Sequence, residues 1–320
     1  MSKYLVTGGA GFIGSHIVEE LLKKGESVVV LDNFSSGREE NLSFVSDYTL
    51  DANRYTLNRG DIRDLNTCKQ ACQGIDYVLH QAALRSVPKS MKHPYEYNQV
   101  NIDGTLNMLN AARECGVKRF VLASSSSVYG DTDKFPQDEG AYPLLISPYA
   151  LSKLAGEFYC RIFSENFGLE TVALRYFNVF GPRQAVDDEY AVVIPKFITC
   201  ILNDQKPPIF GNGKQSRDFT FVKNVVQANL LAAITPGVSG EVFNVACGND
   251  TTILELVDKI NILARKSIDP ELLAIRQGDI FKTLADVTKI NSRLKFNPEF
   301  DFDQGLKITF DWFKTQLQKK

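Results

Sequence analysis

A glycine-rich turn between a short apolar segment and a helical pattern is the feature that most constrains the fold of this chain. Residues 3–7 read as a strand, and the turn after them places Gly8, Gly11 and Gly14 three residues apart. Apolar residues then recur at helical spacing, and a second apolar strand ends at Asp32. This order of strand, glycine turn, helix, strand and acid is the context that dinucleotide binding requires, with the pyrophosphate at the helix N-terminus.

The acid that ends the second strand indicates which dinucleotide is bound. Asp32 lies eighteen residues after Gly14, near the expected position of an acid that binds the adenosine ribose. A carboxylate there accepts hydrogen bonds from the ribose hydroxyls and repels a 2′-phosphate. The sequence therefore predicts NAD rather than NADP as the cofactor.

Strand and helix patterns continue to alternate after this first unit. Further strands are predicted at 54–58, 76–79, 118–123 and 169–175, with helices at 65–73, 98–115 and 148–167. Such alternation predicts an α/β fold with a doubly wound parallel sheet. The ligand site is expected beyond the carboxyl ends of the strands. At those ends lie Asp32, Asp61, Gln81 and the serine run 124–127.

The composition changes after residue 180, where loops become longer and richer in proline, glycine and asparagine. We predict a nucleotide-binding domain over 1–180 and a smaller, mixed C-terminal substrate domain over 181–320. A strand-like run at 241–246 is expected to rejoin the main sheet, so a segment near 220–246 belongs with the first domain.

A tyrosine and a lysine near the start of the 148–167 helix are candidate catalytic residues. Ser147 is a suitable N-cap, and Pro148 fits the first helical position. Tyr149 and Lys153 then lie four residues apart on one helix face. A neighbouring positive charge makes a phenol lose its proton more easily. In a chain with 12 tyrosines, one such pair is also expected by chance in an ordinary half-exposed helix.

The serine run supplies a third partner for this pair. It follows a predicted parallel strand, and the tyrosine helix begins about twenty residues later. Serine, tyrosine and lysine can therefore meet over the nicotinamide of the cofactor. In that arrangement the serine holds a substrate hydroxyl, and Tyr149 takes its proton while hydride leaves the same carbon.

The overall composition limits the partners and the compartment. A formal net charge of −2 without a long basic run does not indicate nucleic acid or an anionic membrane as a partner, and no apolar run reaches membrane-spanning length. The N-terminus lacks a signal-peptide pattern, and six cysteines without a Cys-x-x-Cys pair are typical of reduced thiols, so we expect a cytoplasmic protein. Three widely separated histidines predict no metal site.

Several stretches together carry a resemblance to a known family. They are 7–14, 60–62, 80–83, Asn101, 125–130, 149–153 and 174–182. On these residues the chain resembles the extended short-chain dehydrogenase/reductase family over essentially its whole length, and within it the nucleotide-sugar 4-epimerases. The resemblance implies a Rossmann sheet, bound NAD, a UDP-sugar substrate and a homodimer joined through the helices at 98–115 and 148–167.

The resemblance also implies which residues form the site. The expected catalytic residues are Ser125, Tyr149 and Lys153. The expected cofactor site comprises Gly8, Gly11, Phe12, Ile13, Gly14, Asp32, Asn33, Ser35, Ser36, Gly37, Asp61, Ile62, Gln81, Ala82, Ala83, Asn101, Tyr149, Lys153 and Phe177. The expected substrate site comprises Arg85, Ser86, Ser125, Ser127, Tyr149, Asn178, Arg217, Arg276, Asp279 and Thr283. Its two arginines at 217 and 276 are expected to grip the substrate diphosphate, which a forked guanidinium suits.

Two features of the sequence bear on the reaction and on the sugar. The related dehydratases and decarboxylases carry an acid where this chain has Ser126 and Ser127, so elimination or decarboxylation is less plausible than epimerisation. Thr283 replaces a bulky tyrosine of epimerases restricted to unacetylated sugars, and the stretch 85–90 resembles the N-acetylhexosamine-specific subgroup. We predict interconversion of UDP-GlcNAc and UDP-GalNAc, with polysaccharide biosynthesis as the expected setting.

Three alternatives stay open from the sequence alone. In the first, the epimerase acts on UDP-glucose and UDP-galactose, or on a UDP-hexuronate. In the second, the enzyme is a nucleotide-sugar dehydratase or net dehydrogenase. In the third, the chain is a redox-sensing or scaffold protein that keeps the NAD fold without catalysis. Proteins of the last class usually lose the tyrosine or the lysine, and both are present here.

Overall fold

A seven-stranded, fully parallel sheet forms the centre of the molecule. The computed structural model describes residues 1–48, 54–185, 193–275 and 280–318. The strands are β1 (Lys3–Thr7), β2 (Ser27–Asp32), β3 (Tyr55–Arg59), β4 (Tyr77–His80), β5 (Arg119–Ser125), β6 (Glu170–Tyr176), β7 (Val179–Phe180), β8 (Pro208–Phe210), β9 (Ser216–Asp218), β10 (Thr220–Phe221), β11 (Glu241–Val245), β12 (Asp250–Thr252) and β13 (Glu271–Leu273). The central sheet has the order β3-β2-β1-β4-β5-β6-β11, so the chain reverses its direction of progress between β1 and β4.

Helices cover both faces of this sheet. They are α1 (Phe12–Lys23), α2 (Val45–Tyr48), α3 (Leu65–Ala71), α4 (Val87–Lys92), α5 (Pro94–Tyr97), α6 (Gly104–Glu114), α7 (Pro148–Phe167), α8 (Val193–Leu202), α9 (Val222–Ile234), α10 (Ile253–Ala264), α11 (Thr288–Leu294) and α12 (Phe302–Gln318). A π-helical turn, Asn98–Asp103, precedes α6, and short 3₁₀ turns form at Glu39–Leu42 and Ser126–Tyr129.

The alternation of side chains along each strand builds two hydrophobic cores. Leu5 packs with residues of α3, α6 and α7 on one face, and its neighbour Val6 packs with residues of α1 and α9 on the other. Because both faces are covered, side chains on both faces of the inner strands are buried, as in β2, where all six residues are buried and the middle four are apolar. This arrangement confirms the predicted α/β fold with a doubly wound parallel sheet.

The strand and helix predictions hold to within a few residues. The helix predicted over 148–167 has these bounds, since Ser147 caps its first turn and Gly168 ends it with a φ of 70°. The run predicted to rejoin the sheet is β11, which pairs with β6. The helix predicted over 98–115 differs, because its first six residues form the π-helical turn.

After residue 180, α8, α10 and α12 pack against one another in a third hydrophobic core, while α9, α11 and β11 belong to the core on one face of the central sheet. Two small pairings lie within this part of the chain, β12 with β9 and β13 with β8, and a third, β10 with β7, connects it to the preceding segment. The domain boundary near residue 180 stays a prediction. None of the helices formed by the described residues is long and apolar enough to cross a membrane.

Candidate active site

A cavity of about 1380 Å³ lies beyond the carboxyl ends of the parallel strands. Its lining comes from the glycine turn, from the ends of β2, β4 and β5, from the start of α7, and from residues after 175 such as Asn178, Arg217 and Thr283. Pockets for drug-sized ligands are commonly about 300–1000 Å³. The cavity is therefore large enough for a dinucleotide together with a second ligand.

The glycine turn forms one wall of the cavity by bringing backbone against backbone. Gly8 has a φ of 66°, and a Cβ on Gly14 would lie 2.1 Å from the Gly8 carbonyl oxygen. A side chain at Gly14 would push α1 away from the turn after β1, and one at Gly8 would collide with the Ala82 backbone at 2.8 Å. Gly8 and the residues 11–14 line the cavity beside the N-terminus of α1. The turn thus fits a dinucleotide pyrophosphate.

Asp32 is fixed at the end of β2 by two backbone amides. Its Oδ2 accepts a hydrogen bond from the Ala10 amide at 2.9 Å, and its Oδ1 accepts one from the Phe34 amide at 2.8 Å. Burial raises the pKa of this carboxyl above its usual value, although the two amide bonds oppose the rise. Asp32 lines the cavity, as a ribose-binding acid must.

A second acid, Asp61, lines the cavity just after β3, the strand that neighbours β2. Asp61 accepts a hydrogen bond from Asn33 Nδ2 at 2.9 Å, and its bonds to Arg63 lower its pKa to about 2. The other cofactor residues found in the lining are Asn33, Ser35, Ser36, Ile62, Gln81, Ala82 and Ala83. These acidic and polar residues therefore lie together along the cavity, where the sequence predicts a ligand site.

Three of the predicted cofactor residues lie behind the cavity lining. Asn101 is 2% exposed. Its Oδ1 accepts a hydrogen bond from the Leu84 amide, and its Nδ2 donates to the Leu84 carbonyl oxygen and to Ser152 Oγ, each at 3.0 Å. Phe177 is fully buried against Tyr129. A Cβ on Gly37 would lie 2.8 Å from Asp32 Oδ1. These residues support the wall of the cavity, and a direct cofactor contact for them stays a prediction.

The three predicted catalytic residues meet at one end of the cavity. Ser125 ends β5, and its Oγ accepts a hydrogen bond from the Ser127 amide at 3.2 Å. Tyr149 lies in the first turn of α7 and is hydrogen-bonded to the Ser125 side chain. Lys153 follows one turn later, with its Nζ 5.9 Å from the centre of the Tyr149 ring and 2.9 Å from the Ala123 carbonyl oxygen. All three line the cavity.

Burial and charge act in opposite directions on the tyrosine. Burial raises the pKa of Tyr149, while the Ser125 hydrogen bond and the charge of Arg85 lower it. Burial lowers the pKa of Lys153 to about 8, so its amine is mostly charged at neutral pH. A positive charge therefore lies beside the phenol where it favours the phenolate.

A buried ion pair behind these residues is absent from the sequence-based prediction. Glu157, one turn after Lys153 on α7, binds Arg175 with Oε1 at 2.9 Å from Nε and Oε2 at 2.8 Å from Nη2. Its Oε1 also accepts a hydrogen bond from Ser124, the neighbour of Ser125. The sequence contains a signal for the glutamate. Its spacing places it on the same helix face as the two catalytic candidates, at i, i+4 and i+8 for Tyr149, Lys153 and Glu157.

The predicted substrate residues outside this group line the other part of the cavity. They are Arg85, Ser86, Ser127, Asn178, Arg217 and Thr283. Arg217 Nη1 donates to the carbonyl oxygens of Ser216 and Phe281, at 2.9 and 3.1 Å. The predicted contacts Arg276 and Asp279 lie outside the described residues. Among the residues that are described, no group of histidine, cysteine and acidic side chains gathers as a metal site.

The chain is similar to known proteins over nearly its whole length. A family model described as the NAD dependent epimerase/dehydratase family matches residues 4–246. A putative UDP-glucose 4-epimerase of Methanocaldococcus jannaschii is 36% identical over 316 residues, which cover 97% of this chain and 98% of that protein.

Two solved structures share both sequence and fold. UDP-N-acetylglucosamine 4-epimerase from Methanobrevibacter ruminantium M1, in complex with UDP-N-acetylmuramic acid, is 42% identical, with a TM-score of 0.92 over 98% of this chain and 99% of that chain. UDP-glucuronic acid 4-epimerase from Bacillus cereus, in complex with UDP-glucuronic acid and NAD, is 33% identical, with a TM-score of 0.89 over 98% and 99%.

Proposed function

The chain belongs to the NAD-dependent epimerase/dehydratase family, and from this premise we propose that it interconverts UDP-N-acetylglucosamine and UDP-N-acetylgalactosamine. Membership confirms the predicted cofactor, NAD, and the prediction of an isomerase that acts on UDP-sugars at C4. The choice among UDP-sugars is the proposal. It rests on the residues that line the substrate side of the cavity.

The arrangement of Ser125, Tyr149 and Lys153 performs the acid–base part of epimerisation. NAD, when bound, supplies a hydride acceptor and donor at the sugar C4. The Ser125 hydroxyl holds the C4 oxygen, and Tyr149 removes its proton to leave a 4-keto sugar. The charge of Lys153 keeps the phenolate accessible near neutral pH. After the keto sugar turns over, the phenol returns the proton, and the C4 configuration is inverted.

The nearest acids do not favour elimination or decarboxylation. The positions that follow Ser125 are serines, and the buried carboxylate Glu157 has both oxygens bonded to Arg175. Because the two positions directly after Ser125 offer no carboxylate to move protons at neighbouring carbons, these residues favour epimerisation over dehydration.

The observation that carries the sugar assignment is the position of Thr283. It is 6% exposed and lines the cavity near Asn178 and Arg217. A threonine there leaves more space than an aromatic ring, which suits a 2-acetamido group. A UDP-hexuronate is the second candidate, because the exposed Arg85 lines the cavity and its charge acts on Tyr149.

An NMR assay of purified enzyme with UDP-GlcNAc tests this function. We expect UDP-GalNAc to form without net change in NADH absorbance, and Tyr149→Phe to lower the rate about a thousandfold because the variant lacks the phenol oxygen that takes the C4 proton. The matched control is Tyr142→Phe, since Tyr142 is 83% exposed and should keep the wild-type rate. Much faster turnover of UDP-glucose or UDP-glucuronate than of UDP-GlcNAc would refute the sugar assignment.

The assembly and setting of the enzyme are part of the same proposal. We propose a homodimer, supported by a stripe of Leu151, Ala155, Phe158 and Ile162 on the outer side of α7, in which Leu151 and Phe158 are 53% and 56% exposed. A cytoplasmic location and a role in polysaccharide biosynthesis are proposed as well. The six cysteines, all free thiols, agree with a reducing compartment.

A further inference from the structure

The side chain of Thr283 is held by two neighbours that both donate to its oxygen. Asn178 Nδ2 donates to the Asp218 carbonyl oxygen at 3.0 Å, and this bond fixes the amide orientation because a carbonyl can only accept. The same Nδ2 then donates its other hydrogen to Thr283 Oγ1 at 2.8 Å. The second donor is the Asp218 amide, 3.2 Å from Oγ1, which shares its hydrogen with the Thr283 carbonyl oxygen at 3.0 Å.

Asp218 is itself anchored, so this arrangement is rigid. Its carboxylate is completely buried and accepts hydrogen bonds from the amides of Cys247, Gly248 and Ala285 at 3.1–3.2 Å. These bonds connect β9 to the loop after β11 and to the segment that carries Thr283. The direction of the bonds to Thr283 is therefore set by backbone that cannot easily move.

A threonine hydroxyl has two lone pairs and one hydrogen. Both lone pairs of Thr283 are used, so the hydroxyl has only its hydrogen left to offer. None of the residues that the structure describes accepts that hydrogen, and the side chain lines the cavity. The hydroxyl is thus a donor-only group at the wall of the substrate site.

We propose that Thr283 donates a hydrogen bond to the acetamido carbonyl oxygen of the sugar and so selects N-acetylated UDP-sugars by chemistry as well as by size. The inference rests on the proposed function. An amide carbonyl is an obligate and strong acceptor, whereas a sugar hydroxyl in its place is a weaker acceptor and can turn elsewhere. A site that donates to a substrate group discriminates against analogues that cannot accept.

Replacing the Thr283 hydroxyl with a methyl group keeps the size of the side chain and removes its hydrogen-bond donor, so the two causes of substrate selection can be told apart. We expect Thr283→Val to lower the ratio of kcat/KM for UDP-GlcNAc to that for UDP-glucose roughly tenfold, the effect of one lost hydrogen bond. Thr283→Ser keeps the donor and should keep the ratio within about threefold of wild type. An unchanged ratio in Thr283→Val would overturn the inference, and size alone would then explain selection.

A second measurement compares two substrates within each protein. A difference in stability between the variants then cancels in each ratio. The N-trifluoroacetyl analogue of UDP-GlcNAc has a poorer acceptor oxygen. Wild type and Thr283→Ser should lose several-fold in kcat/KM with the analogue, and Thr283→Val should lose none. Equal losses in all three proteins would contradict donation by Thr283.

The proposed function and this inference fail in different ways. Wild-type enzyme that does not convert UDP-GlcNAc removes the proposed function, and the inference with it. Wild-type enzyme that converts UDP-GlcNAc, with a Thr283→Val variant that keeps the wild-type ratio, removes only the inference. Thermal unfolding of both variants in the presence of NAD shows whether the fold is intact.

Discussion

The charge of a single buried lysine controls when the tyrosine can act as a base. Lys153 Nζ lies 5.9 Å from the Tyr149 ring centre, and burial lowers the pKa of its amine to about 8. A charge at this distance is worth about 3 kcal/mol at an effective dielectric constant of about 20, or roughly two pKa units of the phenol. Burial raises the pKa of Tyr149, while the Ser125 hydrogen bond and the charge of Arg85 lower it. By Coulomb's law we expect the Lys153 charge to act in the same direction as Arg85.

Removing this charge should move the pH dependence of the reaction. In Lys153→Met we expect the rising limb of kcat against pH to shift upward by about one to two units, with at least a tenfold loss at pH 7. The wild-type advantage should narrow above pH 8, because the Lys153 amine loses its proton there. Steady-state kinetics between pH 5.5 and 9.5 measure both effects.

The matched control for this profile is Lys24→Met, whose side chain is 55% exposed and pairs with Glu20. It should reproduce the wild-type curve. A Lys153→Met profile with an unshifted rising limb would mean that the lysine does not act on the phenol.

At the scale of elements, one buried ion pair connects α7 to the ends of β5 and β6. The side chains of Glu157 and Arg175 are 4% and 5% exposed, and Ser124 lies opposite Arg175 in the sheet register. The pair therefore fixes the distance between Ser125 on the sheet and Tyr149 on the helix. Its contribution to the fold depends on both partners being present.

Breaking this pair should destabilise the fold strongly. We expect Glu157→Ala to lower the free energy of unfolding by about 3–5 kcal/mol, since it leaves the buried Arg175 charge without its ion-pair partner. Urea denaturation measures the change. The control on the same helix is Glu165→Ala, which breaks an exposed pair with Arg161 and should cost about 0.5 kcal/mol or less. Similar losses in the two variants would show that the buried pair has no special structural weight.

The elements differ in how well local sequence predicts them. The bounds of α7 follow from a capping serine and a terminal glycine, both local signals. The π-helical turn at Asn98–Asp103 has no such signal, because its apolar spacing reads as ordinary α-helix. The hydrogen bonds of Asn101 to Leu84 and Ser152 involve segments distant in sequence, so the residue's place behind the cavity was not predictable.

At the scale of the whole molecule, the sheet order explains why the cofactor side of the site was the more predictable part. Parallel strands bring their carboxyl ends to one edge, so Asp32, Asp61 and Ser125 gather there once the alternation is recognised. Arg217 and Thr283 reach the cavity through short pairings of β9 with β12 and of Ser216 with Lys282. No periodic pattern indicates such contacts, and only the family resemblance did.

An apolar stripe on the outer side of α7 is the candidate contact between whole chains. Leu151, Ala155, Phe158 and Ile162 follow at steps of four, three and four residues, so they form one apolar stripe on α7, and its leucine, phenylalanine and isoleucine are exposed. A charge inserted in this stripe would have to be buried unpaired in a dimer. We expect wild type to sediment at twice the chain mass of 35.8 kDa and Phe158→Asp to sediment as a monomer. Ile262→Asp, at a 75% exposed position of α10, is the matched control and should stay dimeric. A wild-type mass of one chain, or an intact Phe158→Asp dimer, would place the subunit contact elsewhere or remove it.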